Sequence, residues 1–166
     1  MVSFMIVFFN SFFALSCFRL DLHCYDLEKN RWQMIIPTAG SIPSARHSHS
    51  AVVYQDCMYV FGGYDGSYRS DFHAFNFYTR SWRQIQGQGE IPRARYRGTC
   101  VVCGESMILH GGHDGTRHLQ DTHIFDFPTS TWSLLTTEGP IPSPRDSHVA
   151  VIYGKSMFLY GGSTGT

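Results

Sequence analysis

The sequence predicts an all-β protein built from a repeated unit of four strands, and three observations support this prediction. Glycine is frequent, with 16 residues, and aromatic residues make up 15% of the chain, a mixture that favours short strands joined by tight turns. The three tryptophans, Trp32, Trp82 and Trp132, recur at steps of 50 residues. No useful length of chain carries apolar residues at the i, i+3, i+4 and i+7 spacing of an amphipathic helix.

Several other residue types share this period, as expected for one structural unit that is repeated along the chain. Each recurs at steps of 49 or 50 residues. They are the Gly-Gly pairs that begin at Gly62, Gly111 and Gly161, the Ile-Pro pairs that begin at Ile42, Ile91 and Ile141, the arginines Arg46, Arg95 and Arg145, the methionines Met58, Met107 and Met157, and the aspartates Asp21, Asp71 and Asp121, each followed two residues later by a histidine, His23, His73 or His123.

The first two strands of each unit are predicted to form a hairpin. In the unit that follows residue 46, they cover 49–54 and 58–61, and Gln55-Asp56 supplies a two-residue turn between them. The second strand ends at Gly62-Gly63. Glycine there permits backbone angles that are closed to other residues, or the close approach of another strand.

The third and fourth strands complete the unit. The third is predicted over 71–77, and the fourth begins at Trp82. Polar loops of about ten residues lead to the next unit, and each contains a proline, which suits a connection because it has no N–H to donate. These prolines are Pro43, Pro92 and Pro142.

Four strands in about 50 residues is the pattern of a β-propeller blade. The predicted fold is therefore an all-β propeller fragment with two complete four-stranded blades and two half blades. The predicted segments are an apolar N-terminal segment at 1–19, a half blade with strands three and four and a linker at 20–45, blades at 46–94 and 95–144, and a half blade with strands one and two at 145–166.

Three blades are too few to close a ring, because known propellers have about four to eight. The sequence is therefore expected to be a truncated gene product, or one copy of a dimer whose blades complete one ring. In either case, further blades or a second copy must cover the open edges of the sheets.

The repeated motifs resemble kelch repeats. The resemblance rests on the run from Tyr59 to Gly66, with its Gly-Gly, and on the tryptophan after each third strand, and it covers 20–166. The Pro-x-x-Arg-x-x-His openings at 43–49 and 142–148 are similar to those of the leucine-zipper-like, BTB-linked branch, although Gly98 replaces the histidine in the middle unit. The resemblance implies a protein-interaction module, with the substrate-recognition part of an adaptor as one form of it.

Charge and cysteine content narrow the function classes. Thirteen basic and thirteen acidic residues give no net charge, which argues against a nucleic-acid-binding face and a polybasic membrane patch. Cys100 and Cys103 form a CxxC within one predicted strand, where side chains three apart point to opposite faces and do not chelate one ion. The five cysteines therefore indicate structural, reduced thiols and a cytoplasmic protein.

Residues 1–18 are nearly all apolar and permit three interpretations. They lack the basic start of a signal peptide and are slightly short for a membrane span of about 20 residues. A signal or anchor would direct the protein to the secretory route. Alternatively, 5–8 is a decayed second strand that resembles 58–61, or the segment is spurious sequence.

No catalytic, cofactor-binding or metal-binding residues are predicted. His23, His73 and His123 occupy one repeated position, which indicates a structural hydrogen bond in each unit. His113 and His118 share a loop, but their spacing is not a specific ligand pattern. A galactose-oxidase-like enzyme fragment remains an alternative, although the copper ligands of that enzyme have no match here. A non-functional fragment is the other alternative.

The face that carries the loops between strands two and three is the predicted binding surface. Arginine and tyrosine, which dominate protein hot spots, are frequent there. The resemblance to kelch adaptors of ubiquitin ligases implies that Arg and Ser just inside strand one hold acidic peptides. The repeated Arg46, Arg95 and Arg145 are instead expected to hold loops or blades together. The predicted partner-binding residues are Ser48, Tyr64, Tyr68, Arg69, Arg97, His113, Arg117, His118 and Ser147.

Overall fold

The computed structural model describes residues 18–165. The hypotheses of a signal, an anchor or a strand at 5–8 concern residues outside this range. Within it, every regular element is a β-strand, so the predicted all-β class is confirmed. No helix of the kind that crosses a membrane occurs in this part of the chain.

Fourteen strands form two five-stranded sheets and two hairpins within the described residues. The sheets have the orders β3-β7-β6-β5-β4 and β8-β12-β11-β10-β9, and the hairpins are β1-β2 and β13-β14. The strands are β1 (Leu22–Asp26), β2 (Arg31–Ile35), β3 (Ala39–Gly40), β4 (Ser50–Tyr54), β5 (Cys57–Phe61), β6 (Phe72–Asn76), β7 (Ser81–Gln84), β8 (Gln88–Gly89), β9 (Thr99–Cys103), β10 (Ser106–His113), β11 (His118–Asp126), β12 (Thr131–Leu134), β13 (Val149–Tyr153) and β14 (Ser156–Tyr160).

Each five-stranded sheet contains the four predicted strands and one short strand that was not predicted. β3 and β8 come from the proline-containing loops and pair in parallel with the fourth strands, β7 and β12. Two residues carry no periodic pattern, which explains why the sequence did not reveal these strands. The fourth strand also begins one residue before each tryptophan, rather than at it.

The second sheet departs further from the prediction, because β10 and β11 continue past the Gly-Gly pair to the tip of their hairpin. The register shifts between His110 and Gly112, which is the mark of a β-bulge. Gly111 and Gly112 have φ angles of 63° and 102°. Glycine adopts these angles without steric cost, which confirms the conformational role predicted for the pair.

The main core lies between the two five-stranded sheets. The first sheet contributes Phe61 and Phe72, and the second contributes Leu109, Phe125 and Trp132. The Trp132 ring centroid lies 5.3 Å from that of Phe61 and 5.6 Å from that of Phe72. Each sheet thus buries one face against the next, as expected for stacked repeats that cannot shield both faces alone.

Neighbouring units meet at their first strands. Ser50 Oγ donates to Gly98 O at 2.7 Å, and Thr99 Oγ1 donates to His148 O at 2.7 Å. Strand β9 therefore packs between β4 and β13. This arrangement, with the first strands of neighbouring units side by side and the other strands of each sheet farther away, is that of a propeller fragment.

A repeated Arg–Asp–His network supports each five-stranded sheet. Arg46 donates to both carboxylate oxygens of Asp71, at 2.6 and 2.8 Å, and His73 Nε2 lies 3.0 Å from Asp71 Oδ2. Burial alone would raise the pKa of Asp71, but the hydrogen bonds from Arg46 and His73 outweigh it and hold that pKa well below its usual value. The structural roles predicted for Arg46 and His73 are confirmed, and Arg95, Asp121 and His123 form the same network.

Cys100 and Cys103 both lie on β9, opposite Leu109 and Ser106 of β10, as predicted. Burial raises the pKa of the Cys100 thiol to about 12. Cys100 packs against the main core. Its thiol is therefore protonated at neutral pH, and this chemistry suits a structural residue better than a metal ligand or a nucleophile.

Candidate functional site

Seven rings, six from two consecutive units and one from Phe18 before them, form a continuous patch on the loop face, which we call the aromatic patch. Phenylalanine, tyrosine and histidine side chains all contribute to it, and every ring contacts at least one other ring of the patch. The patch consists of Phe18, His47, Tyr64, Tyr68, Tyr96, His113 and His118.

The centre of the patch is Tyr96. Its ring centroid lies 5.3 Å from that of Tyr68, 5.9 Å from that of His113 and 6.4 Å from that of Tyr64. The Tyr68 and His113 contacts are edge-to-face, the geometry that aromatic quadrupoles favour. Phe18 is exposed, and the other six rings are half-buried, so the rings contact one another and still present surface to a ligand.

Backbone pairing fixes the rings in place. Tyr64 N donates to His47 O, and His47 N donates to Tyr64 O, both at 3.0 Å. Tyr96 and His113 exchange the same two bonds at 3.1 and 3.0 Å. In each unit, the loop that enters the first strand is therefore tied to the loop that follows the second, and the aromatic side chains of both loops are brought together.

Gly115 lets the tip of the β10-β11 hairpin approach the neighbouring unit. A Cβ atom built on Gly115 would lie 2.5 Å from Cε2 of Tyr68, and the φ angle of Gly115 is 100°. Both the angle and the contact require glycine. The hairpin tip therefore covers one side of Tyr68 and closes the patch between the two units.

Ser48, Arg97 and Ser147 lie at one repeated position beside the patch, which we call the hub position. All three have left-handed backbones, with φ angles of 55°, 55° and 57°. Arg97 N donates to Ser48 O at 2.8 Å, and Ser147 N donates to Arg97 O at 3.0 Å. This chain of backbone bonds links three units and places the three residues next to one another.

Arg97 is the available cation of the site. Its guanidinium carbon lies 4.7 Å from the centroid of the Tyr96 ring, within the range of a cation–π interaction. No carboxylate within 18–165 forms an ion pair with Arg97. Burial, followed by the charge of Arg97, lowers the pKa of His47, which keeps that ring neutral at physiological pH.

The other two predicted arginines already have acidic partners. Arg69 Nε donates to Asp65 Oδ2 at 2.6 Å, and this bond is the largest of the causes that hold the pKa of Asp65 well below its usual value. Arg117 Nε lies 3.8 Å from Asp114 Oδ2, and the Arg117 side chain is 65% exposed. Arg69 is therefore committed to its own loop, whereas Arg117 is only weakly held.

His118 lies at the end of the patch next to a buried carboxylate. Its Nε2 is 3.3 Å from Asp146 Oδ2, and Asp146 is 4% exposed. The His118 ring centroid is also 4.8 Å from that of His113. The described part of the chain contains no group of three or more His, Cys, Asp or Glu side chains arranged as metal ligands. His113 and His118 therefore have no third ligand beside them within that part of the chain.

The structure brings most of the predicted site residues together. Four of them belong to the aromatic patch, and three occupy the hub position, whereas Arg69 and Arg117 lie at the rim in ion pairs. Sequence reasoning did not select four contributors to the site, although it noted the loop positions of three of them. These are Phe18, His47, Tyr96 and Asp146.

Three of these four residues could have been found from their position in the repeat. His47 and Tyr96 each follow the repeated arginine directly and are 49 residues apart. Asp146 holds the same position in the third unit. Phe18 had no such signal, because it lies outside the repeat pattern and meets His47 and Tyr64 only through the fold.

Comparison with known proteins agrees with the predicted resemblance to kelch repeats. Residues 6–166 match the KLHDC2/KLHL20/DRC7 Kelch-repeats domain. The chain is 47% identical to a leucine-zipper-like transcriptional regulator 1 homolog of Drosophila melanogaster over 60 residues, which are 34% of this chain and 6% of that protein. It is 36% identical to the host cell factor homolog hcf-1 of Caenorhabditis elegans over 61 residues, 36% of this chain and 8% of that protein.

A third relative is human Kelch domain-containing protein 3, to which the chain is 33% identical over 67 residues, 39% of this chain and 17% of the relative. The match spans less than one fifth of the length of each of these three relatives. The shared part in each case is of a length that fits one or two repeats of this chain.

Proposed function

Because this chain belongs to the kelch-repeat family, we propose that it binds another protein and holds an acidic segment of it at Arg97 and the aromatic patch. Kelch-repeat domains are generally protein-interaction modules. Beyond this general function, we propose that the bound segment is acidic and that Arg97 and the aromatic patch bind it.

One observation carries the proposal: Arg97 is at the hub position and has no ion-pair partner within 18–165, although arginines nearby do. The guanidinium presents several N–H donors in a fixed plane, which match the two oxygens of a carboxylate. The Tyr96 ring stabilises the positive charge of the Arg97 guanidinium on one side through a cation–π interaction. Ser48 and Ser147 hold the hub position in the units before and after that of Arg97, and their hydroxyls can donate to an anion. Ser48 Oγ also lies 2.9 Å from His47 Nδ1.

The aromatic patch supplies the apolar part of the proposed interface. Tyrosine and arginine are enriched among the residues that dominate binding energy. The rings of Tyr64, Tyr68 and Tyr96 are already ordered by mutual contacts, so these side chains lose less conformational entropy when a ligand binds. An extended acidic peptide with apolar residues on both sides of the carboxylate fits this combination.

Binding of short fluorescent peptides to the purified chain tests the proposal. A panel of peptides with a central Asp or Glu is compared with the same peptides carrying Asn or Gln, by fluorescence anisotropy at two salt concentrations. We expect the acidic peptides to bind at least tenfold more tightly, a difference of about 1.4 kcal/mol, and the preference to weaken as salt rises.

Two variants locate the interaction. Arg97→Ala is expected to remove the preference for acidic peptides. Arg83→Ala removes the same charge from β7, the fourth strand of its unit, and is expected to leave binding unchanged. Equal binding of acidic and neutral peptides, or equal effects of the two variants, contradicts the proposal.

We further propose that the chain serves as the substrate-recognition part of a cytoplasmic adaptor. Support for the location comes from Cys24, Cys57, Cys100 and Cys103, which are all free thiols, as is usual in a reducing compartment. Fractionation of cells with an antibody to the chain tests this location. Recovery in the secretory pathway contradicts it.

A further inference from the structure

The loop between the second and third strands ends in a tip whose charge differs between the two complete units. In the first unit, Asp65 Oδ2 accepts hydrogen bonds from Arg69 Nε at 2.6 Å and from the Ser44 hydroxyl at 2.5 Å. One arginine therefore balances one aspartate, and the other partner of the carboxylate is neutral. These three side chains leave no net charge at the tip of the first unit.

In the second unit, two arginines share one carboxylate, and we call these arginines the tip pair. Asp114 holds the position of Asp65, 49 residues later. Arg93 likewise stands where the first unit has Ser44. Arg93 Nη1 donates to Asp114 Oδ2 at 3.2 Å, and Arg117 Nε lies 3.8 Å from the same oxygen. Two positive charges and one negative charge leave a surplus of one positive charge at this tip.

The loop that carries the tip pair is also one residue longer than its counterpart. The step from Gly62 to Asp71 is nine residues, whereas that from Gly111 to Asp121 is ten. β10 and β11 reach the tip of this longer loop, where the side chain of Arg117 is 65% exposed. A residue that the repeat needs for its own stability recurs from unit to unit. The added charge is absent from the first unit, so the stability of the repeat does not account for it.

The Asp114 carboxylate is held mainly by its own loop. Its Oδ1 accepts from Thr116 N, Thr116 Oγ1 and Arg117 N at 2.9, 2.8 and 3.0 Å. Burial alone would raise the pKa of Asp114, but the hydrogen bonds from Thr116, Arg117 and Arg93 hold it well below its usual value. Only Oδ2 remains for the two guanidiniums, each of which has several N–H donors. Neither arginine forms an ion pair with another carboxylate within 18–165, so the tip pair can bind a further anion.

The aromatic patch connects the tip pair with Arg97. The Arg97 guanidinium carbon lies 4.7 Å from the Tyr96 ring centroid, which is 5.3 Å from that of Tyr68. Gly115 belongs to the tip, and a Cβ atom built on it would lie 2.5 Å from Cε2 of Tyr68. Rings therefore cover the whole path from the hub position to the tip. An extended segment advances about 3.3 Å per residue, so roughly three to five residues span this path.

We propose, on the basis of the function proposed above, that the acidic segment bound at Arg97 carries a second acidic side chain and that the tip pair binds it. The surplus of one positive charge at the tip matches one carboxylate. A phosphorylated side chain would bring a charge of about −1.5 to −2 next to Asp114 and leave the tip negative. The ligand is therefore an extended protein segment with two carboxylates, roughly three to five residues apart, and apolar side chains between them over the aromatic patch.

Fluorescence anisotropy with the full 166-residue chain tests for the second carboxylate. Each labelled peptide has one fixed Glu and, at increasing separation, a second residue that is either Glu or Gln, with apolar residues between them. We expect the second Glu to raise the affinity about tenfold at separations of roughly three to five residues, and to have little effect when the two Glu are adjacent. The same gain at every separation, or no gain at any, overturns this proposal. A fixed Glu that Gln replaces without loss, in the singly acidic peptides, overturns the proposed function instead.

Two double variants show where the second carboxylate binds. Arg93→Gln with Arg117→Gln should abolish the gain from the second Glu. The affinity for singly acidic peptides should change less than about twofold, because charges beyond a Debye length of about 8 Å are screened at physiological salt. Both side chains are more than half exposed, so the melting temperature should stay within a few degrees.

Arg80→Gln with Arg83→Gln is the matched control. It removes the same number of charges from the turn before β7 and from β7 itself, and it should leave the gain from the second Glu intact. An equal loss of this gain in both double variants overturns the assignment to the tip pair. So does a tip-pair variant that keeps the gain, or one that weakens singly and doubly acidic peptides to the same extent.

Discussion

The guanidinium of Arg95 donates two parallel hydrogen bonds to the carboxylate of Asp121, each 2.8 Å long. Arg95 is 2% exposed, and it also donates to Gly111 O at 3.1 Å. One side chain thus joins the loop before the first strand, the Gly-Gly pair and the third strand, β11, of its unit. Removing it leaves a carboxylate and a carbonyl without their partner.

Arg95→Met is therefore expected to lower the free energy of unfolding by about 3 kcal/mol, as found when one member of a buried ion pair is removed. Urea denaturation followed by tryptophan fluorescence measures the change. Arg145→Met is the matched control, because Arg145 holds the same repeat position and donates to Gly161 O but has no carboxylate partner within 18–165. Its loss should be about 1 kcal/mol, and equal losses contradict the role assigned to the Arg95–Asp121 pair.

Acid is expected to destabilise the fold in two separate pH ranges, and the histidines account for the first. Burial, followed by the charges of Arg46 and His47, lowers the pKa of His49 to about 4. Burial, followed by His110 and Arg145, lowers that of His148 to about 4. Both pKa values lie below the usual 6.5, so the unfolded chain binds protons first. Stability is then complete above pH 6.5 and falls as pH decreases towards 4.

At about 1.4 kcal/mol per unit of pKa, a full shift corresponds to roughly 3 kcal/mol for each histidine at pH 4. Melting temperatures measured between pH 7 and pH 4 check this slope. His148→Gln should flatten this slope by less than half, because His47, His49 and His110, whose pKa values are also lowered, remain. An unchanged slope in this variant would show that His148 titrates normally in the folded chain.

The aspartates account for the second range. Hydrogen bonds to Asp71 and Asp121 hold their pKa values well below the usual 3.8, despite the opposing effect of burial. These carboxylates contribute stability above that value and lose it as pH falls further. A melting temperature that stays constant between pH 6.5 and 4 and falls only below pH 4 would assign all acid sensitivity to the aspartates.

The packing of Trp132 against Gly87 is expected to control how closely the two sheets approach. A Cβ atom on Gly87 would meet Cδ1 and Nε1 of Trp132 at 2.6 and 2.8 Å, so Gly87→Ala should displace the indole. We expect a loss of about 1–3 kcal/mol, as for overpacking of a core, measured by urea denaturation. Gly104→Asn is the control, because Gly104 has open space around it at a φ angle of 59° that asparagine tolerates. A neutral Gly87→Ala would contradict the tight contact.

The sequence was sufficient to predict the strands that carry a repeated pattern, but not those that depend on distant contacts. Trp132 and the Gly-Gly pairs recur at a fixed spacing, and the hairpins between them follow from turn length. Ala39–Gly40 pairs with β7 more than forty residues later, and nothing local in two residues reveals such a bridge. The aromatic patch was predicted in part, because loop residues that vary between units were selected while His47 and Tyr96 were not.

Tyr96 provides the sharpest test of the aromatic patch, because its ring contacts members of the patch from three loops and also the guanidinium of Arg97. Tyr96→Ala removes these contacts and should weaken binding of the acidic peptides described above by at least tenfold. The half-buried ring contributes little to the main core, so the melting temperature should change by only a few degrees. Tyr96→Phe keeps the ring and its contacts and should retain most of the affinity.

The comparison of these two variants separates a role in binding from a role in folding. If Tyr96 only supports the loops, Tyr96→Ala lowers the melting temperature strongly and peptide affinity falls in proportion to the unfolded fraction. If Tyr96 positions Arg97, affinity falls in fully folded protein, and the salt dependence of binding decreases with it because the charge is no longer held at the hub position. Measurement of anisotropy at two salt concentrations, well below the melting temperature of each variant, distinguishes these outcomes.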